Sequence, residues 1–245
     1  MNFLRTLYTV YGFLIFCLSF LILFPLILLS IWIPDMKKYG RKINRFWANL
    51  YFLLIFKPIK IEGKAYVKKD QAYIFVANHF SYLDIAMMGF VPGDVVFVGK
   101  SSLGKIPLFG YYFKKLHIAV NRSSARSRAE VLLRSKNVLE NGSSLVIFPE
   151  GGMITQNPPF MSHFKDGAFT LALEKQIPII PVTLSYNHLI LPDQKSIRLH
   201  FKRGKMTFHP AVSTQGLGKE SLQDIKRHCF DTIQAQLLKD NGMNI

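Results

Sequence analysis

From Leu7 to Ile33 the chain reads LYTVYGFLIFCLSFLILFPLILLSIWI, 27 residues without a formal charge. As a helix this run would extend roughly 40 Å. A bilayer's hydrocarbon core is roughly 30 Å thick, so the run is long enough to span it or to lie deeply embedded. Pro25 would kink the helix, which lipid tolerates when neighbouring groups satisfy the freed carbonyl. The run ends in Trp32, Ile33, Pro34 and then charge, not in the small-residue cleavage site of a secretory leader. A second apolar stretch, Phe46 to Phe56, is too short to span and reads as an interfacial or re-entrant segment beside the first.

Beyond residue 60 the pattern changes. AYIFVAN (72–78), DVVFVGK (94–100), LHIAVNR (116–122), SLVIFPEG (144–151) and PIIPVTLSY (178–186) are unbroken apolar runs of strand length. Such runs are expected of strands covered on both faces. Helical patterns fall between them at 84–90, 125–140 and 167–176, and a last helix at about 219–240 stops at Asn241-Gly242. IRLHFKRGKMTFHPA (197–211) alternates and turns at Arg203-Gly204, which predicts an edge hairpin. The alternation of strand and helix predicts an α/β domain, residues 61–245, with a largely parallel mixed sheet flanked by helices. Membrane-embedded helices, residues 1–60, precede it.

Charge adds a direction. The 245 residues hold 31 Lys+Arg against 15 Asp+Glu, a net +16, and so basic a surface attracts polyanions: nucleic acid, anionic lipid or an acidic carrier protein. Lys37, Lys38, Arg41, Lys42 and Arg45 follow the long apolar run, whereas Arg5 alone precedes it, which places the rest of the chain on the cytoplasmic side of the membrane. Each basic residue near an anionic surface is worth about 1 kcal/mol. The membrane therefore accounts for the excess, and with no nucleic-acid-binding motif present that class of partner is not expected. Two cysteines, Cys17 and Cys229, have no paired spacing for a disulfide framework or a zinc site, so neither a metal nor an oxidising compartment is expected.

In sheets of this kind binding groups collect beyond the carboxyl ends of the strands. His79, Lys100, Arg122, Glu150 and Gly151 all follow predicted strands. The stretch ANHFSYLDI (77–85) has two readings that are open together. With Ser81 as N-cap, Asp84 sits at the third helical position and leans back toward His79. That is either a capping box beside a histidine, or a carboxylate that fixes the imidazole tautomer and leaves Nε2 free as a base.

The order of the blocks NHFSYLD (78–84), NR (121–122), FPEG (148–151) and IPIIPV (177–182) resembles the four sequence blocks of the 1-acylglycerol-3-phosphate acyltransferases. KSSLGKIPLFGYYFKKL (100–116) and FKDGAF (164–169) are similar to the segments leading into that family's second and fourth blocks. The resemblance covers residues 72 to about 186. It implies that His79 deprotonates an acceptor hydroxyl, that Asp84 orients and charge-stabilises it, and that the alkoxide attacks an acyl thioester directly. It also implies that Arg122, Glu150 and Gly151 bind the acceptor's phosphate; Lys100 and Lys105 are read separately as either further anion ligands or solvated surface lysines. No cofactor is implied beyond the acyl donor, acyl-ACP or acyl-CoA, and the acceptor would be lysophosphatidic acid in the inner membrane.

One departure bears on the acceptor. The family's third block usually continues Phe-Pro-Glu-Gly-Thr-Arg, with the arginine on phosphate; here Gly152 and Met153 stand in the last two places. A lost charge-assisted bond of this kind costs about 1.5 to 3 kcal/mol. Either Lys105, His163 or Lys165 compensates, with TQNPPFMSHFKDG as a local lid, or the acceptor is another lysolipid such as an N-acylated amino acid lipid. A non-catalytic lipid-binding protein on the same fold is the alternative outside enzymes.

Overall fold

The computed structural model describes residues 2–121, 124–192 and 198–243. Its sheet has seven strands: β1 (Ile59–Glu62), β2 (Ile74–Ala77), β3 (Val95–Lys100), β4 (Ile118–Val120), β5 (Ser144–Ile147), β6 (Ile179–Ser185) and β7 (Gly204–Phe208). They lie in the order β1-β7-β6-β2-β5-β3-β4. The five strands from β6 to β4 are mutually parallel, as the unbroken apolar runs predict. β7 runs antiparallel to β6, and β1 pairs parallel with β7, so the sheet is mixed.

Every residue of β2 and β6 is buried because both faces are covered. Phe75 and Ala77 of β2, with Ile180, Val182 and Leu184 of β6, pack on one side with α1 (Asn2–Trp32), α2 (Lys37–Leu54), α3 (Leu83–Met87) and α4 (Phe109–Leu116). Ile74, Val76 and Ile179 face the other way, onto α6 (Gly167–Lys175) and α8 (Leu222–Asp240). α5 (Ala125–Glu140) follows β4, and its first turn is capped by Ser124 Oγ, which accepts the Ser127 N–H at 3.2 Å. α7 (Asn187–Ile190) is a single turn after β6.

α1 and α2 form a hairpin laid along the domain. The Trp47 indole N–H donates to Ser19 Oγ at 2.8 Å, and Gly40 leaves room for Ser30 where a Cβ would clash. Near its start α1 offers Thr9 Oγ1 to the Leu199 N–H at 2.9 Å, and Trp32 at its end donates to the Tyr111 hydroxyl at 3.0 Å. Arg41 of α2 grips the Asp94 carboxylate with two nitrogens, bracing the hairpin against the start of β3. The outward side of α1 is greasy: Phe3, Leu14, Leu18, Ile22 and Leu29 are all exposed.

The expected hairpin at 197–211 does not form. Only Gly204–Phe208 is a strand, and its partners are β6 and β1. Leu199 is buried in the core against Gly12 of α1, and the His200 N–H goes to the Ile190 carbonyl at 2.8 Å. The segment's backbone bonds are therefore spent on α1 and α7, not on β7. Residue 197 lies outside the described residues, as does Arg122. β1 and α4 were not anticipated by the hydrophobic pattern.

Candidate active site

The carboxyl ends of β2 and β5 lie side by side, and the loops after them carry His79, Asp84, Glu150 and Gly151. β2 delivers Asn78, whose side chain is locked to β6 by two bonds with the backbone of Leu184, at 3.1 and 2.8 Å. The next residue is thereby held at the sheet edge. His79 Nδ1 lies 3.1 Å from Asp84 Oδ2, and the same oxygen accepts the backbone N–H groups of Phe80 at 2.7 Å and Ser81 at 2.8 Å. The two readings of ANHFSYLDI are thus one arrangement: Asp84 caps the start of its own helix and holds the histidine with the same atom.

The helix begins at Leu83, one residue later than Ser81 as N-cap would place it and one earlier than the pattern at 84–90, with Tyr82 as its cap position and no side-chain cap bond there. Ser81 Oγ instead accepts the Leu83 N–H at 3.2 Å and donates to the Leu191 carbonyl at 2.7 Å. That hydroxyl is engaged, which disfavours it as a nucleophile.

Asp84 is fully buried and His79 is 8% exposed. The imidazole stacks on the Phe148 ring, centroids 4.2 Å apart and 20° between planes. With Nδ1–H donated to Asp84, the remaining nitrogen, Nε2, has its lone pair available as a proton acceptor.

Glu150, in the loop after β5, is fully buried. One carboxylate oxygen accepts the His79 N–H at 2.8 Å and the other the Ser162 N–H at 2.9 Å. Burial pushes its pKa up to about 7, against the pull of the two N–H groups and of His79. It ties two loops together here, a role the sequence did not suggest.

Gly151 takes φ +87°, a left-handed conformation suited to glycine. A Cβ there would lie 2.7 Å from Lys165 Nζ and 2.8 Å from its Cε, so the lysine's side chain runs across this glycine. The Lys165 backbone N–H donates to the Pro149 carbonyl at 2.9 Å, which fixes the stem. Among the described residues no carboxylate pairs with this ammonium. Of the three candidates for replacing the family's arginine, Lys165 is the one held against the third block. All three are exposed, but only Lys165 is placed across Gly151; Lys105 ends the 3-10 turn after β3. Lys100, at the end of β3, is exposed on the same edge of the sheet. The loop expected as a lid is fastened to α8, where Gln234 accepts the Met161 N–H at 2.9 Å and donates to the Pro159 carbonyl at 3.1 Å.

An apolar cavity of about 520 Å³ lies between the α1–α2 hairpin and the domain. Phe16, Phe20, Trp47 and Ala86 are among its walls, and Tyr82 and Leu83, the neighbours of Asp84 along the chain, line it as well. His117 also lines it, with Nδ1 accepting the Phe97 N–H at 3.3 Å and Nε2 2.9 Å from the Tyr112 hydroxyl. Burial pushes this imidazole's pKa down to about 3, so it stays neutral and puts no charge into the cavity. Among the described residues, no group of three or more His, Cys, Asp or Glu side chains is placed to hold a metal ion.

Two site residues were missed in the sequence. Phe148 stands inside the FPEG block and was passed over as part of a strand. Asn187, which donates to Asp84 Oδ1 at 2.7 Å, follows β6 on the same carboxyl edge, and that position was the signal available.

A buried His79–Asp84 pair at the end of a parallel strand, with an apolar cavity walled in part by the residues flanking Asp84, is the arrangement this fold builds. Comparison with known proteins gives the family. Residues 58–185, just over half of the chain, match the family model described as Acyltransferase. A Saccharomyces cerevisiae 1-acyl-sn-glycerol-3-phosphate acyltransferase is 31% identical over 204 residues, covering 81% of this chain and 65% of that protein. The chloroplastic enzyme of that name from Arabidopsis thaliana, LPAT1, is 28% identical over 73% of this chain and 50% of its own length. A lyso-ornithine lipid O-acyltransferase of Pseudomonas aeruginosa is 30% identical over 66% of this chain and 60% of that protein. The crystal structure of the 1-acyl-sn-glycerophosphate acyltransferase PlsC from Thermotoga maritima shares the fold, with a TM-score of 0.82 at 22% identity, covering 100% of this chain and 99% of that one. The chain belongs to the acyltransferase family, in the 1-acylglycerol-3-phosphate acyltransferase group that its sequence blocks resemble. It spans about half to two thirds of the length of the curated relatives described here.

Proposed function

We propose that the protein transfers a fatty acyl group from acyl-ACP or acyl-CoA to the 2-hydroxyl of lysophosphatidic acid, forming phosphatidic acid at the cytoplasmic face of the inner membrane. The observation that carries this is the His79–Asp84 pair, whose Nε2 has no hydrogen-bond partner among the described residues. Nε2 takes the hydroxyl proton as the oxygen attacks the thioester carbonyl. The C–S bond then breaks, and the thiolate leaves with the proton returned by His79. Asp84 stabilises the imidazolium in between. No covalent enzyme intermediate is required: Ser81 is hydrogen-bonded to Leu191, and Cys229 is buried in the core.

Lys165 supports a phosphate-bearing acceptor. Its ammonium lies across Gly151, the neighbour of the residue that ties down the His79 backbone, and has no carboxylate partner among the described residues. The second reading, O-acylation of a lyso-amino-acid lipid, is favoured by Met153 standing where the family's arginine would be and by the lyso-ornithine relative.

An acceptor panel with purified protein in lipid vesicles separates these. Lysophosphatidic acid should turn over, and His79→Ala should lower the rate by about 10² to 10⁴. Lys165→Gln should raise KM for lysophosphatidic acid roughly tenfold or more, while Lys165→Arg retains it. Turnover of lyso-ornithine lipid with lysophosphatidic acid inert would replace the first reading by the second. Full activity of His79→Ala would remove His79 as the base, and no transfer to any lysolipid would leave a lipid-binding role.

A further inference from the structure

Asp84 is held more completely than capping and one histidine require. Three of its bonds, from His79, Phe80 and Ser81, converge on Oδ2. Among the described residues Oδ1 has a single donor, the Asn187 amide at 2.7 Å, and both residues are fully buried. The reverse orientation of that amide would set oxygen against oxygen, so the assignment of Nδ2 to Asp84 follows from charge. The other groups around Asn187 give it little. Its Nδ2 lies 3.5 Å from the Met87 sulfur, and its own Oδ1 is buried without a hydrogen-bond partner among the described residues. An amide kept in a core with half its bonding unmet is costly, so packing alone does not explain it.

The backbone that presents Asn187 is held under strain. Tyr186, the residue before it, takes φ +72°, a left-handed conformation unfavourable for a bulky side chain. The C-terminal helix fixes it there. The Tyr186 hydroxyl donates to the Asp240 carbonyl at 2.6 Å, and Ser185 Oγ donates to the Asp240 carboxylate at 2.6 Å. Asp240 is itself gripped by Lys205 Nζ at 2.8 Å and by Gln236 at 2.9 Å. The end of β6, the start of β7 and the end of α8 thus cooperate to turn one side chain inward, onto Asp84.

We propose that Asn187 is a positioning residue for the acyl-transfer reaction, holding the Asp84 carboxylate ionised and in plane with His79 through its otherwise unpaired oxygen. This rests on the reading of His79 as the base. When His79 takes the acceptor's proton, the imidazolium needs a full negative charge on Asp84. Without Asn187, Oδ1 is a buried oxygen lacking a donor, and that favours either a proton on it or rotation of the carboxylate. Either change weakens the support for the imidazolium. The charged and titratable groups around the pair are few. Glu150 faces it from the loop after β5, His188 lies beside Asn187 on α7, and Lys202 acts on His188 from the segment before β7.

The test is the pH profile of kcat/KM for Asn187→Leu and Asn187→Asp with full-length protein in vesicles, lysophosphatidic acid as acceptor and acyl-CoA as donor. Asn187→Leu should lower kcat by about 10-fold to 10²-fold, a part of what general-base assistance supplies, with both KM values near wild type. Its acid limb should move to higher pH by about half a unit to one unit, because the active form needs Asp84 ionised and His79 neutral. Asn187→Asp, which fills the same space with a second carboxylate, should move the limb further in the same direction by holding a proton on the cluster. A fall in kcat with an unmoved acid limb and a matching loss of thermal stability would reduce Asn187 to a structural role, as would unchanged kinetics. If Asn187→Leu does not fold, Asn187→Asp carries the comparison. If wild type acylates no lysolipid, the functional reading falls first. The NMR titration of the His79 ring in Asn187→Asp then still decides whether Asn187 acts through Asp84, an unshifted titration overturning it.

Discussion

Glu150 holds the backbone N–H of His79 at 2.8 Å through one carboxylate oxygen and that of Ser162 at 2.9 Å through the other. The strand end bearing His79 is thereby joined to the segment bearing Lys165. Two buried donors need two acceptors, and a glutamine offers one. Glu150→Gln should therefore cost about 1 to 3 kcal/mol of stability and lower activity by loosening His79. The sign of the pH dependence follows from burial, which raises this carboxyl from 4.5 to about 7. The native state binds the proton more readily than the unfolded state, so this group's contribution to stability is fullest below about 4.5 and declines until about 7. Denaturant melts at several pH values should show the gap between wild type and variant largest near the acid end and narrowing toward neutrality. A gap that widens with pH would contradict the assignment.

Ala86 of α3 lines the apolar cavity two residues along from Asp84. If the cavity receives the acyl chain, Ala86→Phe shortens it from the wall without altering the His79–Asp84 pair. Each methylene that can no longer be buried forfeits about 0.8 kcal/mol, near a fourfold preference. Competition between acyl-CoA donors of different length should show the optimum displaced toward shorter chains while the best donor keeps a comparable kcat. An unchanged length profile would place the chain elsewhere.

What could be read from the sequence follows from how local each feature is. β2, β5 and β6 are buried on both faces, so their unbroken apolar runs identify them with no knowledge of their partners. The His79–Asp84 contact is also local, since both residues belong to one turn and the helix start brings them together. The hairpin expected at 197–211 failed for the opposite reason. Leu199 and Thr9 are bonded across 190 residues, and no local alternation reports that. Asn187 was illegible for a similar reason: its partner Asp84 lies 103 residues away, and the strained Tyr186 turn is imposed by α8. Glu150's two backbone partners were not legible, because an acidic side chain paired with two backbone N–H groups looks the same in sequence as one facing a substrate.

The placement of α1 leads to the last prediction. Its 31 residues extend about 46 Å, ample to cross a bilayer. Yet Thr9 near one end is bonded to Leu199 of the domain, and Trp32 at the other end to Tyr111. A helix crossing the membrane could keep only one of these ends beside a domain on one face. Its exposed apolar side, with Phe46 and Leu53 of α2, instead suits burial in a single leaflet, with the basic residues of 37–45 near the headgroups. Epitope tags at the two termini should therefore be digested together by protease in inverted membrane vesicles and protected together in right-side-out ones. The protein should still resist extraction by high salt, since apolar area and not charge holds it. Protection of the amino-terminal tag alone in inverted vesicles would show that α1 spans, and that at least one of its two contacts with the domain is broken in the membrane.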